Sequence, residues 1–328
     1  MKTLAAGLLL VAVAAPARAA LPEFYKKVAG VHWVVSDLEK VKAGWAKLGF
    51  PVQDLGEVSA SGSYLGQYGS ARLRIAQARL AGAEVSWIQP LESESGFAEH
   101  LARHGDGVFS ILYAVPTREA LDAEVARLGR LSVSVLQRGE LATPVGRITV
   151  VHMDTAAEGK YVLGLVHDET PHVPSDAPPA AVPLKLSQYA LVVRSVEKVS
   201  AYWEKLGFPK MEVTHDPLSD RVYRGQPGTF DQKLGWHRHG TVTWEWIEPL
   251  AGPTVYEDFL KEHGEGFHHF GFDVPDIDAA GAFFASHGAP IVQSGGWGEK
   301  GKPGSGRFAY AATDSFGGVT AELLWSLR

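Results

Sequence analysis

The chain has 328 residues, 45% of them hydrophobic and 21% charged, which is long enough for two domains with real cores and too apolar for a disordered polymer. A formal net charge of −6 argues against nucleic acid or an anionic membrane as partner, because both reward a basic face. The absence of cysteine excludes disulfides, thiolate metal sites and a cysteine nucleophile.

At the N-terminus Lys2 precedes an apolar run over residues 4–15, then Pro16 and the small-residue site Ala17-Arg18-Ala19. A charged start, a short apolar core and an A-x-A site predict a signal peptide over residues 1–20, cleaved near Ala19 or Ala20, and a secreted or periplasmic protein. The run is shorter than the roughly 20 apolar residues of a permanent membrane span.

The remainder is one pattern written twice. Gly30-Val31-His32-Trp33-Val34-Val35 parallels Gln188-Tyr189-Ala190-Leu191-Val192-Val193, and both lead into helical stretches that stop at Lys47-Leu48-Gly49-Phe50-Pro51 and Lys205-Leu206-Gly207-Phe208-Pro209. Trp87-Ile88-Gln89-Pro90-Leu91 matches Trp246-Ile247-Glu248-Pro249-Leu250, and His104-Gly105-Asp106-Gly107 matches His263-Gly264-Glu265-Gly266. Gly146-Arg147 then faces Gly306-Arg307. Landmarks kept in order along both halves predict a tandem duplication, with domains over 21–167 and 184–328. The five prolines between His167 and Pro183 make 168–183 a stiff linker. Within each copy a β-branched strand, an amphipathic helix and two or three alternating strands occur, and then the order restarts. Each copy therefore reads as β-α-β-β-β twice over, an α+β unit whose sheet curves into a half-open cup around a cavity.

Chemistry concentrates in the second copy. Strand alternation puts only one of the adjacent pair His268 and His269 on the cavity face. Glu245 sits between Trp244 and Trp246, and its side chain points to the face opposite theirs. Glu322 lies in an apolar strand, where an unpaired buried carboxylate is costly. His237 and His239 flank Arg238 with both imidazoles on one side; with Arg221 and Arg224 they either line the mouth of the pocket and bind substrate or belong to a solvated hairpin. The glycine-rich stretch 295–306 is either a lid with Trp297 as its apolar tip or a plain loop.

The phrases Gly264-Glu265-Gly266-Phe267-His268-His269 and Glu245-x-Ile247-x-Pro249, within the duplicated β-α-β-β-β pattern, resemble the vicinal oxygen chelate superfamily: glyoxalase I, methylmalonyl-CoA epimerase, extradiol dioxygenases and bleomycin-resistance proteins. The resemblance implies tandem vicinal-oxygen-chelate domains, each two βαβββ units forming a half-open barrel. It also implies four metal ligands in the second domain, Gln188, Glu245, His269 and Glu322, a set similar to that of glyoxalase I. His269 is thereby implied to be the inward member of the histidine pair and His268 the outward. One divalent ion (Zn, Ni, Co, Mn or Fe(II)) is the implied cofactor, and the partner is a small substrate with vicinal oxygens. Glu322 is the first candidate for catalytic base and Glu245 the second, in a lyase or isomerase that abstracts a proton next to a carbonyl. Two alternatives stay open: a dioxygenase, against which Gln188 stands where those relatives carry histidine, and a non-catalytic binder of the bleomycin-resistance kind. The matching first-domain positions are Gly30, Ser86, Ser110 and Gly164, none a good divalent ligand, so that domain is expected to be metal-free.

Overall fold

A computed structural model describes residues 21–143, 145–170, 182–241 and 243–327; the signal peptide expected over 1–20 and residues 171–181 of the expected linker lie outside the described residues. No helix among them is long and apolar enough to cross a membrane.

Both halves begin alike. A strand (Val28–Val34, Lys185–Val192) runs into a helix (Leu38–Lys47, Val196–Leu206) capped at its N-terminus by the side chain of Asp37 or Ser195, which accepts from the backbone N–H three residues on. Helix Val196–Leu206 buries Val199, Trp203 and Leu206, the one-face spacing of an amphipathic helix, and ends at Gly207, whose φ of +109° suits a residue without Cβ.

The halves then diverge. Eight strands of the first close into a barrel, which differs from the half-open cup expected. The closing element is a long hairpin, Val52–Tyr64 with Gln67–Leu80, whose tip reaches Val135–Thr143 and pairs with it from Ser61↔Glu140 to Tyr64↔Gln137. In the second half the same region is cut into Glu212–Thr214, Leu218–Tyr223, Gln226–Pro227 and Asp231–Arg238. Pro217 and Pro227 lack the N–H a continuous ladder requires, so the ten-stranded sheet stays open between its two ends. At its middle, Thr243–Ala251, Lys185–Val192, Gly266–Asp273 and Thr320–Ser326 lie side by side in that order.

The outer faces of the two sheets share one core. Trp33, Trp45 and Trp87 from the first half join Trp203, Trp246 and Phe270 from the second in a single buried cluster. Polar bonds across the junction repeat with approximate two-fold symmetry. Gly159 and Gly317 hold matching places, and each carbonyl accepts an indole N–H from the other half, from Trp203 at 3.1 Å and from Trp33 at 2.6 Å. His104 and His263 each direct Nδ1 at the other's backbone carbonyl, at 2.9 and 2.6 Å. Because a carbonyl only accepts, both imidazoles carry their proton on Nδ1. Gly318 completes the junction. Its φ is +80°, and an added Cβ would collide with the backbone carbonyl of Asp106. Gly318→Ala is therefore expected to lower unfolding free energy by about 1–3 kcal/mol, from overpacking and left-handed strain together. A denaturant midpoint equal to wild type would show that the junction yields more easily than its geometry implies.

Candidate metal centre

The four middle strands of the second sheet bring Gln188, Glu245, His269 and Glu322 to the inner face, one from each. Register sets them level: Glu245 pairs with Ala190, Gln188 with both Thr243 and Gly271, His269 with Ala190 and Thr320, and Glu322 with Gly271. All four are at most 7% exposed. His269 Nε2 lies 3.1 Å from Glu322 Oε2 and 3.4 Å from Glu245 Oε2. Ligand atoms of these three residues fall within 4.8 Å of one another.

Gln188 joins them through an absence. A Cβ on Gly271 would stand 2.5 Å from Gln188 Oε1 and 3.2 Å from Glu322 Oε2, so the bare glycine leaves the gap in which the amide and the carboxylate approach. Gln188 Oε1 and Glu245 Oε2 are buried without a hydrogen-bond partner among the described residues. Orphaned buried acceptors are unfavourable unless something electropositive satisfies them. Three oxygens and an imidazole form a donor set suited to a borderline divalent ion, and the residues fit one.

Burial depresses the His269 pKa, but the Glu322 and Glu245 carboxylates outweigh it and raise the imidazole to about 9. Burial pushes the Glu245 carboxyl up, which the His269 imidazole 3.4 Å away partly offsets and the Glu322 charge reinforces.

Tyr256, from helix Val255–Glu262, and Tyr310, opposite Glu322 on strand Gly306–Ala311, meet hydroxyl to hydroxyl at 2.7 Å. The Tyr310 ring lies 5.0 Å from that of His269. Burial, and then the two carboxylates, hold both phenols well above the ordinary tyrosine range, so they stay protonated donors. Phe230, Ile247 and Phe308 pack with them in the cup. Alternation from Glu322 across the hairpin marks Tyr310 in the sequence; Tyr256 arrives from a helix and has no such signal.

Other expected site residues fall elsewhere. His237 is the register partner of Trp244, not of Glu245, and therefore shares the outer face with that tryptophan. Its ring and that of His239 pack on Phe208 at 5.7 and 6.3 Å, behind the sheet, and burial brings His237 to about 4. Neither lines the cup; Trp236, level with Glu245, takes that side. The Arg221 guanidinium donates to the carbonyls of Phe230 and Thr229, closing its own hairpin, and Arg224 pairs with Asp258 at 2.8 Å. Trp297 donates its indole N–H to Gly304 O at 3.1 Å, so it anchors the glycine-rich loop and is not a free lid tip. His268 is also misplaced by simple alternation. A bulge skips it in the pairing with Lys185–Val192, where Phe267 faces Leu191 and His269 faces Ala190, so both imidazoles share one side.

The first half lacks the donors and has filled the gap. Gly30, Ser86, Ser110 and Gly164 hold the matching positions, and Leu112 replaces Gly271; a side chain on Gly164 would collide with Leu112 and Ser110. Deeper in that barrel His32 and His152 lie 3.1 Å apart, and burial brings His32 to about 4, leaving a neutral pair.

Comparison with known proteins bears on the fold. Residues 187–310 match the family described as Glyoxalase/Bleomycin resistance protein/Dioxygenase superfamily. Among solved structures, a mutant of 4-hydroxymandelate synthase from Streptomyces coelicolor superposes with TM-score 0.57 and 15% identity, covering 92% of this chain and 94% of that one. The Mn(II)-bound glyoxalase from Novosphingobium aromaticivorans superposes with TM-score 0.51 and 18% identity, covering 92% and 83%. At such identities the shared property is the tandem fold. No curated protein matches the sequence.

Proposed function

We propose that this chain, whose residues 187–310 match the family described as Glyoxalase/Bleomycin resistance protein/Dioxygenase superfamily, is a divalent-metal-dependent lyase or isomerase that abstracts a proton next to a carbonyl of a small, oxygen-chelating substrate. One observation carries the reading: Gln188, Glu245, His269 and Glu322 converge from four adjacent strands onto a buried point with two unsatisfied acceptor oxygens. In this reading these four residues hold the ion, and Mn(II), present in the similar glyoxalase, is the first to try. When bound, the ion supplies Lewis-acid polarisation of the substrate's oxygens.

The protein's own groups do the rest. Glu322 takes the proton, because its Oε2 faces the centre beside His269. Glu245, the second carboxylate facing His269, is the group from which a proton returns. Tyr256 and Tyr310 share one hydroxyl proton between them, which leaves the other as a single donor, and the aromatic packing around them excludes water. Gln188, a neutral amide where a second imidazole would favour oxygen chemistry, supports redox-neutral proton transfer over a dioxygenase reaction. We further propose that the protein acts after export, on a substrate met outside the cytoplasm.

Metal titration of the purified protein followed by solvent-deuterium exchange tests the reading. Stoichiometric Mn(II) or Zn(II), with metal-dependent wash-in of deuterium into an α-hydroxy or α-keto compound and no oxygen uptake, is the expected result. Oxygen uptake without wash-in would replace it by the dioxygenase reading, and absence of any metal binding would leave the binder. Metal affinity should also rise with pH. The ion displaces the proton that the carboxylates hold on His269 up to about pH 9, so uptake releases about one proton below that pH and fewer above it. Calorimetric titrations in buffers of different ionisation enthalpy count that proton, and an affinity flat from pH 6 to 9 would contradict the assigned ligand.

A further inference from the structure

The bulge that brings His268 to the inner side leaves a contact that ligation alone does not explain. His268 Nδ1 lies 2.9 Å from His269 Nδ1. Two imidazole nitrogens at that distance share one proton: one donates and the other accepts. His269 must present the lone pair of Nε2 to an ion placed among Glu245, Glu322 and Gln188, because Nε2 is the nitrogen that faces the carboxylates. Its proton therefore sits on Nδ1, and His268 Nδ1 is the acceptor. We propose that His268 is a positioning residue that fixes the tautomer and ring orientation of His269 for metal; this rests on the metal-centre reading above.

Three features of the fold support a dedicated role. First, His268 is held as closely as a ligand would be. It is 2% exposed, with Tyr256, Phe259 and Tyr310 edge-on around it at 5.5, 5.0 and 5.9 Å between ring centroids. Second, the first half carries the same bulge, with Ser110 facing His32 and Val108 facing Trp33 while Phe109 is skipped. The half without ligands thus keeps the backbone irregularity and a ring of similar size, and lacks only the acceptor nitrogen. The bulge is a property of the fold; the imidazole on it goes with the donor set. Third, the choice of acceptor suits the local charge. Metal-bound histidines usually donate to a carboxylate or a backbone carbonyl. Here Glu245 and Glu322 already balance a divalent ion, and a third carboxylate would leave the buried centre with net negative charge. A neutral imidazole orients His269 without adding charge.

The test uses the full chain, with Mn(II) and Zn(II) as probes. His268→Phe installs the first-half residue, keeping volume and removing the acceptor; His268→Asn places an amide oxygen near the position of Nδ1. His268→Phe is expected to weaken Mn(II) binding by about 10–100-fold, the usual effect of removing an outer partner of a ligand, with His268→Asn recovering much of the loss. In the Zn(II)-loaded wild type, long-range ¹H–¹⁵N correlation of labelled histidines should show His269 protonated on Nδ1 and His268 on Nε2. Equal affinity for wild type and His268→Phe, or a proton on His269 Nε2 in the loaded protein, would overturn the inference while leaving the centre standing. Failure of wild type to bind either ion would remove both, and wild type alone decides that. The tautomer measurement needs no variant, so a poorly folding substitution does not shield the inference.

Discussion

Glu322→Ala is expected to lose the metal and the reaction together. In the proposed reading Glu322 is at once a ligand and the base, and it is the closer of the two carboxylates to His269. Its removal should weaken affinity for Mn(II) by more than the roughly 10–100-fold that an outer partner is worth, and isotope exchange should fall to the uncatalysed rate. Glu322→Gln separates the roles. An amide oxygen still donates to the ion but takes no proton, so metal is retained at reduced affinity while exchange is lost. Elemental analysis of both dialysed variants, beside exchange rates at saturating metal, gives the comparison. A Glu322→Gln protein that exchanges at the wild-type rate would move the base to Glu245. The alanine variant should also titrate differently when metal-free. The Glu322 charge is the largest influence raising His269, so without it the imidazole should lose its proton well below pH 9.

Gly271→Leu is expected to abolish metal binding in a protein that still folds. The first half carries leucine at this place, as Leu112, and accommodates it opposite the bare Gly164. Gly271 needs no positive φ, so a side chain meets no backbone penalty. What it meets is the Gln188 amide and the Glu322 carboxylate, at 2.5 and 3.2 Å from its first carbon. Overpacking of this kind typically lowers stability by about 1–3 kcal/mol, within the margin of a chain of this size. The loss in affinity should be far larger, because two donors are driven off the centre. A melting curve and an Mn(II) titration on the same preparation decide it. Wild-type affinity would mean that the amide and carboxylate swing clear, and that Gln188 does not hold the ion.

The sequence was informative where physics is local or repeats, and silent where it depends on long-range pairing. The four candidate positions came from the family resemblance, and the interval from Gly30 to Gly164, equal to that from Gln188 to Glu322, located their counterparts in the first half without any knowledge of pairing. His268 was misread because alternation assumes an unbroken ladder, and the bulge breaks it by one residue. His237 and His239 do share a side, but which side depends on their facing Trp244, a pairing no pattern within their own strand reveals. Closure of the first barrel was hidden for a different reason. Strands of 13 and 14 residues form its long hairpin, yet Gly56, Gly62, Gly66 and Gly69 interrupt the apolar alternation that would mark them. In the second half two prolines, visible in the sequence, do the cutting.

The crossed bonds at the junction bear on what the chain is able to lose. The turn Thr313–Phe316 and the two glycines after it lead directly into the strand that carries Glu322. That turn is gripped from the other half: Trp33 donates to Gly317, and Asp106 packs against Gly318 so closely that no side chain fits. A half with no donors of its own therefore sets where the last donor of its neighbour stands. Duplication here has produced dependence in place of redundancy. The donor-free copy is not free to drift or be deleted, and the substitutions that disable the centre are expected to extend to residues on the far side of the linker that never approach the ion.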